Sequence, residues 1–205
     1  MRLLGLVLAL VLGLAPSASA LQACSADPAP RHAATTDATA TTDAKRKVPT
    51  RAQWLADVRK AMKGSRGYVK ERVATKTADE KLAVNFDIDN TVIATYYDGG
   101  GAIPKMLRFA HLLDRLDVAL VFNSGRLDKQ QTRTVRQLTR AGFDVAEVCL
   151  RAKGETLPVG KQRCRGHFID EGYTLIANVG NNDTDFEGDG YERAYRLPNY
   201  DGTLG

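Results

Sequence analysis

Little in this sequence points to the commonest catalytic chemistries. Its 205 residues include only three His, three Cys and one Trp. His32, His111 and His167 are not spaced as metal ligands. Arg165-Gly166-His167 lacks the order a histidine phosphatase needs, and neither Cys149 nor Cys164 opens a thiol-phosphatase loop ending in Arg. Gly154 to Lys161 approximates a P-loop but has one residue too many between its glycines, and Gln162 stands where a Ser or Thr must bind magnesium. There is no internal repeat, and no apolar run reaches the ~20 residues of a permanent membrane span. No Lys/Arg stripe is interleaved with aromatics, so the formal net charge of +5 does not imply a nucleic-acid partner. It reads as solubilising surface charge that also favours small anions.

What is present begins with an export signal. Arg2 precedes an apolar run from Leu3 to Leu14, and Ala15-Pro16-Ser17-Ala18-Ser19-Ala20 closes it with small residues. These are the three parts of a secretory signal peptide over 1–20. Cleavage after Ala20 would release a soluble protein. Alternatively Leu21-Gln22-Ala23-Cys24 approximates a bacterial lipobox, with lipidation of Cys24 extending the signal to residue 23. Either outcome places the protein outside the cytoplasm, touching membrane only through the signal or the lipid. Residues 21–48, mostly Ala, Thr, Asp and Pro, cannot bury enough apolar surface to fold and form a tether. An odd cysteine count in an exported chain leaves one unpaired. With Cys24 lipidated, Cys149 and Cys164 are either a disulfide or two small buried thiols.

The folded domain spans 49–205. Thr50 and Gln53 fit a capping box, and Trp54, Leu55, Val58 and Met62 share the inner face of the helix that follows. Tyr68, Val69 and Val73 mark a second helix. Apolar strands are predicted over 82–86, 118–122, 145–150 and 173–179, with a fifth over 193–197. Helices are predicted from Pro104, over 128–141 and over 160–171. Strands alternating with helices make βαβ units, and strands apolar on both faces belong to a parallel sheet covered by helices. The fold class is therefore α/β, a doubly wound parallel sheet with helices on both faces. Ligands in such folds bind beyond the carboxyl ends of the strands.

Those ends carry the polar residues. Asp87 and Asp89 follow the first strand, Ser124-Gly125-Arg126 follow the second, and Gly180 to Asp185 follow the fourth. Lys161 is expected to open the helix before the fourth strand. A carboxylate such as Asp87 can attack a phosphate ester and split one hard step into two. Positive charge must then surround the phosphoryl oxygens, since both reactants are anions. Magnesium suits oxygen ligands from Asp87, Asp89, Asn181 and Asp185. Asp89 can act as acid for the leaving group and then as base for water. Thr91, Ser124, Gly125, Arg126 and Lys161 can contact the phosphoryl group, with Ser124 and Lys161 stabilising its charge.

In this order the residues resemble the haloacid dehalogenase (HAD) superfamily. Its first motif, DxDxT after an apolar strand, is met by Asp87, Asp89 and Thr91. Its second is met by Ser124. Its third, a Lys, is met by Lys161, with Lys153 as the alternative, and its acidic fourth falls at Gly180 to Asp185. The resemblance is nearest to the exported acid phosphatases of subfamily IIIB, the plant and bacterial class B type. It implies a HAD-like Rossmannoid fold, a phosphomonoesterase acting through an aspartyl-phosphate at Asp87, a Mg2+ cofactor and a small phosphorylated substrate. An acid at position 89 is the superfamily's mark of phosphatases rather than dehalogenases or ion-pumping ATPases. One position departs: Asn181 stands where the family has a magnesium-binding Asp, which removes a full charge unless Asp183 or Asp185 compensates. Two other readings therefore stay open, a cell-surface binding protein on a degenerate HAD fold and a phosphotransferase. Only about 30 residues separate the first two motifs, so a minimal cap is expected over the site.

Overall fold

The computed structural model describes residues 48–204. The expected signal peptide, Cys24 and all of the expected tether but Val48 lie outside the described residues. Two helices open the domain, α1 (Arg51–Ala61) and α2 (Ser65–Ala74). Thr50 caps α1 by accepting a hydrogen bond from the Gln53 amide at 3.2 Å. The expected reciprocal bond is absent, because the Gln53 side chain instead donates to Asp57, one turn on.

The rest of the domain winds around β1 (Lys81–Phe86). A short excursion follows it: β2 (Ile93–Ala94), the one-turn α3 (Thr95–Asp98) and β3 (Gly101–Ala102), with β2 and β3 paired antiparallel. Then come α4 (Pro104–Arg115), β4 (Ala119–Leu127), α5 (Gln131–Arg140), β5 (Glu147–Arg151), α6 (Leu157–Asp170), β6 (Tyr173–Gly180) and β7 (Ala194–Arg196). The main sheet runs β5-β4-β1-β6-β7, and every neighbouring pair is parallel. Winding proceeds outward from β1 through β4 to β5, then returns to β6 on the other side. The reversal at β1 opens a crevice beyond its carboxyl end.

The pleat sends alternate side chains to opposite faces. Leu82, Val84 and Phe86 of β1 enter a large core with Trp54, Val58, Met106, Phe109 and Leu138 from α1, α4 and α5. Ala83 faces the other way and packs with Val121, Leu175 and Phe168 beneath α6. The sheet is thus covered on both faces. The cap is minimal, consisting of the β2–α3–β3 excursion. It is pinned by stacking of Trp54 on Tyr97 at 4.8 Å between ring centroids and by a two-pronged Arg51–Asp98 pair.

Three differences from the expected element boundaries bear on the site. The helix expected from Asp128 begins with a 3-10 turn, and its α-helical part starts at Gln131. The second strand extends to Leu127 rather than ending at Phe122. The last helix begins at Leu157, not Gly160, because Pro158 fits the first turn, whose amides have no helical partners. Lys161 consequently sits one turn inside α6 instead of opening it.

Candidate active site

The crevice at the end of β1 is a cavity of about 160 Å³ that brings together Asp87, Asp89, Ser124, Arg126, Lys161 and Asp185. Gly125, Leu157, Asn182 and Thr184 complete its wall. Asp87 forms the floor and is buried. Its backbone amide donates to Val179 of β6 at 2.8 Å, which fixes the residue to two strands at once. One carboxylate oxygen accepts from Lys161 Nζ at 2.6 Å and the other from Thr91 Oγ1 at 2.9 Å. Asn90, between the two aspartates of the motif, has φ 56. That left-handed turn suits Asn and redirects the chain after Asp89.

Lys161 is the hub. Besides Asp87 it meets Asp185 Oδ1 at 2.7 Å and donates to the Asn123 carbonyl at 2.8 Å. Burial disfavours its ammonium, but the two carboxylates outweigh that and raise its pKa, so it stays charged. Burial, then repulsion from Asp185, pushes the Asp87 carboxyl up to about 6 against the opposing pull of Lys161. The other oxygen of Asp185 accepts from the amides of Asn181 and Asn182 at 3.0 and 2.9 Å. Both Asp185 oxygens are therefore engaged in holding the lysine and the turn after β6. Gly180 makes this possible: a Cβ there would lie 2.3 Å from Asp185 Oδ2.

Asp89 faces Asp87 across the cavity mouth. Arg126 grips it with Nη2–Oδ1 at 2.7 Å and Nε–Oδ2 at 2.8 Å, and Thr95 Oγ1 donates to it at 2.6 Å. Burial opposes its ionisation, but the Arg126 and Thr95 bonds prevail and hold its carboxyl below the ordinary range. The register of β4 against β5 slips between Ser124 and Leu127. Such a bulge re-aims side chains, and here Arg126 turns to Asp89. Ser124 is buried in the wall, where its Oγ accepts from the Arg126 amide at 3.3 Å. Gly125 lets Leu157 approach, since a Cβ would meet it at 2.5 Å.

The remaining sequence candidates divide. Asp183 does not join the cavity: its side chain is 99% exposed and pairs with Arg196 at the surface. Lys153 is exposed in the turn after β5. Asn181 Oδ1 lies 3.3 Å from Thr91 Oγ1, the same hydroxyl that donates to Asp87. Its buried Nδ2 has no hydrogen-bond partner. Asp87 and Asn181 thus present oxygens to one spot, beside a donor that a bound oxygen would satisfy. Cys149 and Cys164 form a disulfide with Cα atoms 5.5 Å apart, tying β5 to α6 one turn from Lys161.

Several supporting residues escaped the sequence reading. Buried Asn85 and Asn178 hydrogen-bond side chain to side chain between β1 and β6, and Asn178 also donates to the Asp185 carbonyl at 2.7 Å. Asn123 donates to the Lys161 carbonyl at 2.8 Å. Arg165, fully buried, donates to the carbonyls of Asp185, Glu187 and Asp189 and so fastens the turn after β6. The available signal was an Asn in each of three apolar strands, because a buried amide must find a partner.

A family model describing the HAD superfamily, subfamily IIIB (acid phosphatase), matches residues 98–203. The chain belongs to that subfamily. It is a phosphatase of the HAD fold. The match begins after Asp87 and Asp89, so the geometry around the first motif stands as an independent observation. Among solved structures, the phosphatase is similar to the Class C acid phosphatase from Bacillus anthracis, with a TM-score of 0.60 and 17% identity over 74% of this chain and 80% of that one. The same enzyme with tungstate bound gives 0.59 at 17% identity, with the same coverage. The Pnkp1/Rnl/Hen1 complex matches at 0.52 and 13% identity, over 60% of this chain and 47% of the other. These likenesses concern the fold. No curated protein matches the sequence.

Proposed function

We propose that this phosphatase hydrolyses small phosphomonoesters through an aspartyl-phosphate on Asp87, with Asp89 as proton donor and then acceptor, outside the cytoplasm. The observation that carries this reading is the pairing of two unlike carboxylates on one cavity. Asp87 is buried against Lys161 and Thr91, while Asp89 stands at the mouth on the guanidinium of Arg126.

A carboxylate oxygen of Asp87 forms the new bond to phosphorus as the ester P–O bond breaks. The departing oxygen takes a proton from Asp89, which must carry one when the ester binds although Arg126 and Thr95 favour its ionised form. Water then attacks the acyl phosphate, Asp89 takes back a proton, phosphate leaves and Asp87 is regenerated. Lys161 and the Ser124 hydroxyl offset charge on the phosphoryl oxygens. Asp185 positions Lys161, and Arg126 positions Asp89.

A Mg2+ ion fits the donor chemistry. The Asp87 carboxylate, the Asp89 carbonyl and Asn181 Oδ1 are hard oxygen ligands of the kind it prefers. Asp185, expected as a ligand, is better read as a positioning residue, since Lys161 and two amides occupy its oxygens. When bound, the ion supplies charge that lets an anionic nucleophile approach an anionic ester.

Export is supported by the Cys149–Cys164 bridge, which persists in oxidising compartments. Mass spectrometry of the exported chain would separate a Leu21 N-terminus from a lipidated Cys24. For the activity, p-nitrophenyl phosphate with a metal series is the test. Turnover should require a divalent ion and vanish in Asp87→Asn. No turnover with several esters and metals would return the reading to a binding protein, and transfer to an added alcohol would mark a phosphotransferase.

A further inference from the structure

A second groove, of about 760 Å³, lies between the β3 segment and the outer face of α5. One wall is the bare backbone of Gly100 and Gly101; the other carries Arg133, Arg136, Gln137 and Arg140. Positions i, i+3 and i+7 share one helix face. All three arginines are exposed, and none has an acidic partner among the described residues. No Asp or Glu lines the groove. Like charges at these spacings oppose the helix that bears them, whereas ordinary solubilising surface mixes signs.

Gln137 links this groove to the catalytic cavity. Its Oε1 accepts from Arg126 Nη1 at 2.8 Å, and Arg126 holds Asp89. Gln137 Nε2 is turned toward β3, where a Cβ on Gly100 would lie 2.7 Å away. Gly100 also has φ 117, a conformation L side chains rarely adopt. The groove therefore presents three guanidinium groups and an amide donor to a space kept open by glycine. Guanidinium forks match phosphate oxygens.

We propose that the groove between β3 and α5 is a second anion site that takes a phosphate group. The phosphate belongs either to the far end of a substrate whose reacting ester sits at Asp87 or to a free anion. Arg126 and Gln137 form the shared wall between the two sites.

The test uses the full chain carrying Asp87→Asn, titrated with inorganic pyrophosphate and followed by amide chemical shifts. Binding is read without turnover, so failure of the Asp87 mechanism leaves this result intact. Shifts are expected at Gly100, Gly101 and along α5. Adding Arg133→Gln, Arg136→Gln and Arg140→Gln together should weaken that binding about tenfold or more. Arg136→Gln alone should give an intermediate loss. Gln keeps helix propensity, and a melting temperature no lower than the parent's confirms that each variant folds. Shifts confined to the catalytic cavity, or equal affinity with and without the three arginines, would overturn the proposal.

With Asp87 restored, the arginine substitutions should leave p-nitrophenyl phosphate turnover within about twofold. A distal-phosphate site then gives a preference for a bisphosphate ester over its monophosphate, lost with the arginines. A free-anion site gives modulation of p-nitrophenyl phosphate turnover by pyrophosphate, lost in the same variant.

Discussion

Arg126 and Asp89 meet in a two-pronged pair, with both carboxylate oxygens held at 2.7 and 2.8 Å. The geometry depends on the bulge in β4 that turns Arg126 inward. Arg126→Lys retains the charge but loses the fork. We expect kcat for p-nitrophenyl phosphate to fall between about tenfold and a hundredfold, as a slightly misplaced catalytic group does. An unchanged kcat would show that the orientation of Asp89 does not matter.

Lys161 neutralises two buried carboxylates, so its loss strands both. Lys161→Met should cost about 3–5 kcal/mol in urea unfolding and abolish activity. Adding Asp185→Asn should recover part of the stability but none of the activity. Recovery of neither would place the destabilisation elsewhere in α6.

Asn181 replaces a charged oxygen by a neutral one beside Asp87. Asn181→Asp should tighten magnesium, since ligand charge sets affinity in such sites. The readout is the MgCl2 concentration that gives half of the maximal rise in melting temperature, which should fall. No change in that concentration would show that residue 181 does not contact the ion.

Glu80 is held by Arg72, whose hydrogen bond, helped by the Thr77 amide, lowers its carboxyl to about 2 from an ordinary 4.5. A carboxyl depressed in the folded state adds stability above the unfolded value, and this is lost as pH falls through the folded one. The contribution of Glu80 should therefore be complete above pH 4.5 and disappear toward pH 2. Glu80→Gln should flatten stability over that window and leave it unchanged below. Parallel acid profiles for parent and variant would contradict this.

The acid-dependent Glu80–Arg72 contact joins α2 to the start of β1, a junction that sequence periodicity did not reveal. Periodicity did reveal the elements themselves, because a parallel sheet buried on both faces requires apolar runs and alternating helices. It located the helix starts less well: the first turn of α5 has no apolar residue, and the apolar Leu157 and Val159 in the first turn of α6 are exposed rather than part of a buried stripe.

The motif residues show the same division. Asp87, Asp89, Ser124, Lys161 and the turn after β6 were legible because strand ends must converge on one rim. Which acid of that turn enters the cavity was not. Asp183 and Asp185 are two residues apart in sequence, yet one is in solvent and the other on Lys161. Gly180, whose bare backbone admits the Asp185 side chain, and buried Arg165, reaching across from α6, decide that outcome. The sequence by itself determined the layer order, the family and the residue types available at the carboxyl rim of the sheet, since these follow from local pattern. Only the tertiary structure decided the contacts: Arg126 on Asp89, Asp185 on Lys161, and three arginines of α5 sharing a groove with Gly100 and Gly101. Those depend on backbone register and burial, which no local pattern encodes.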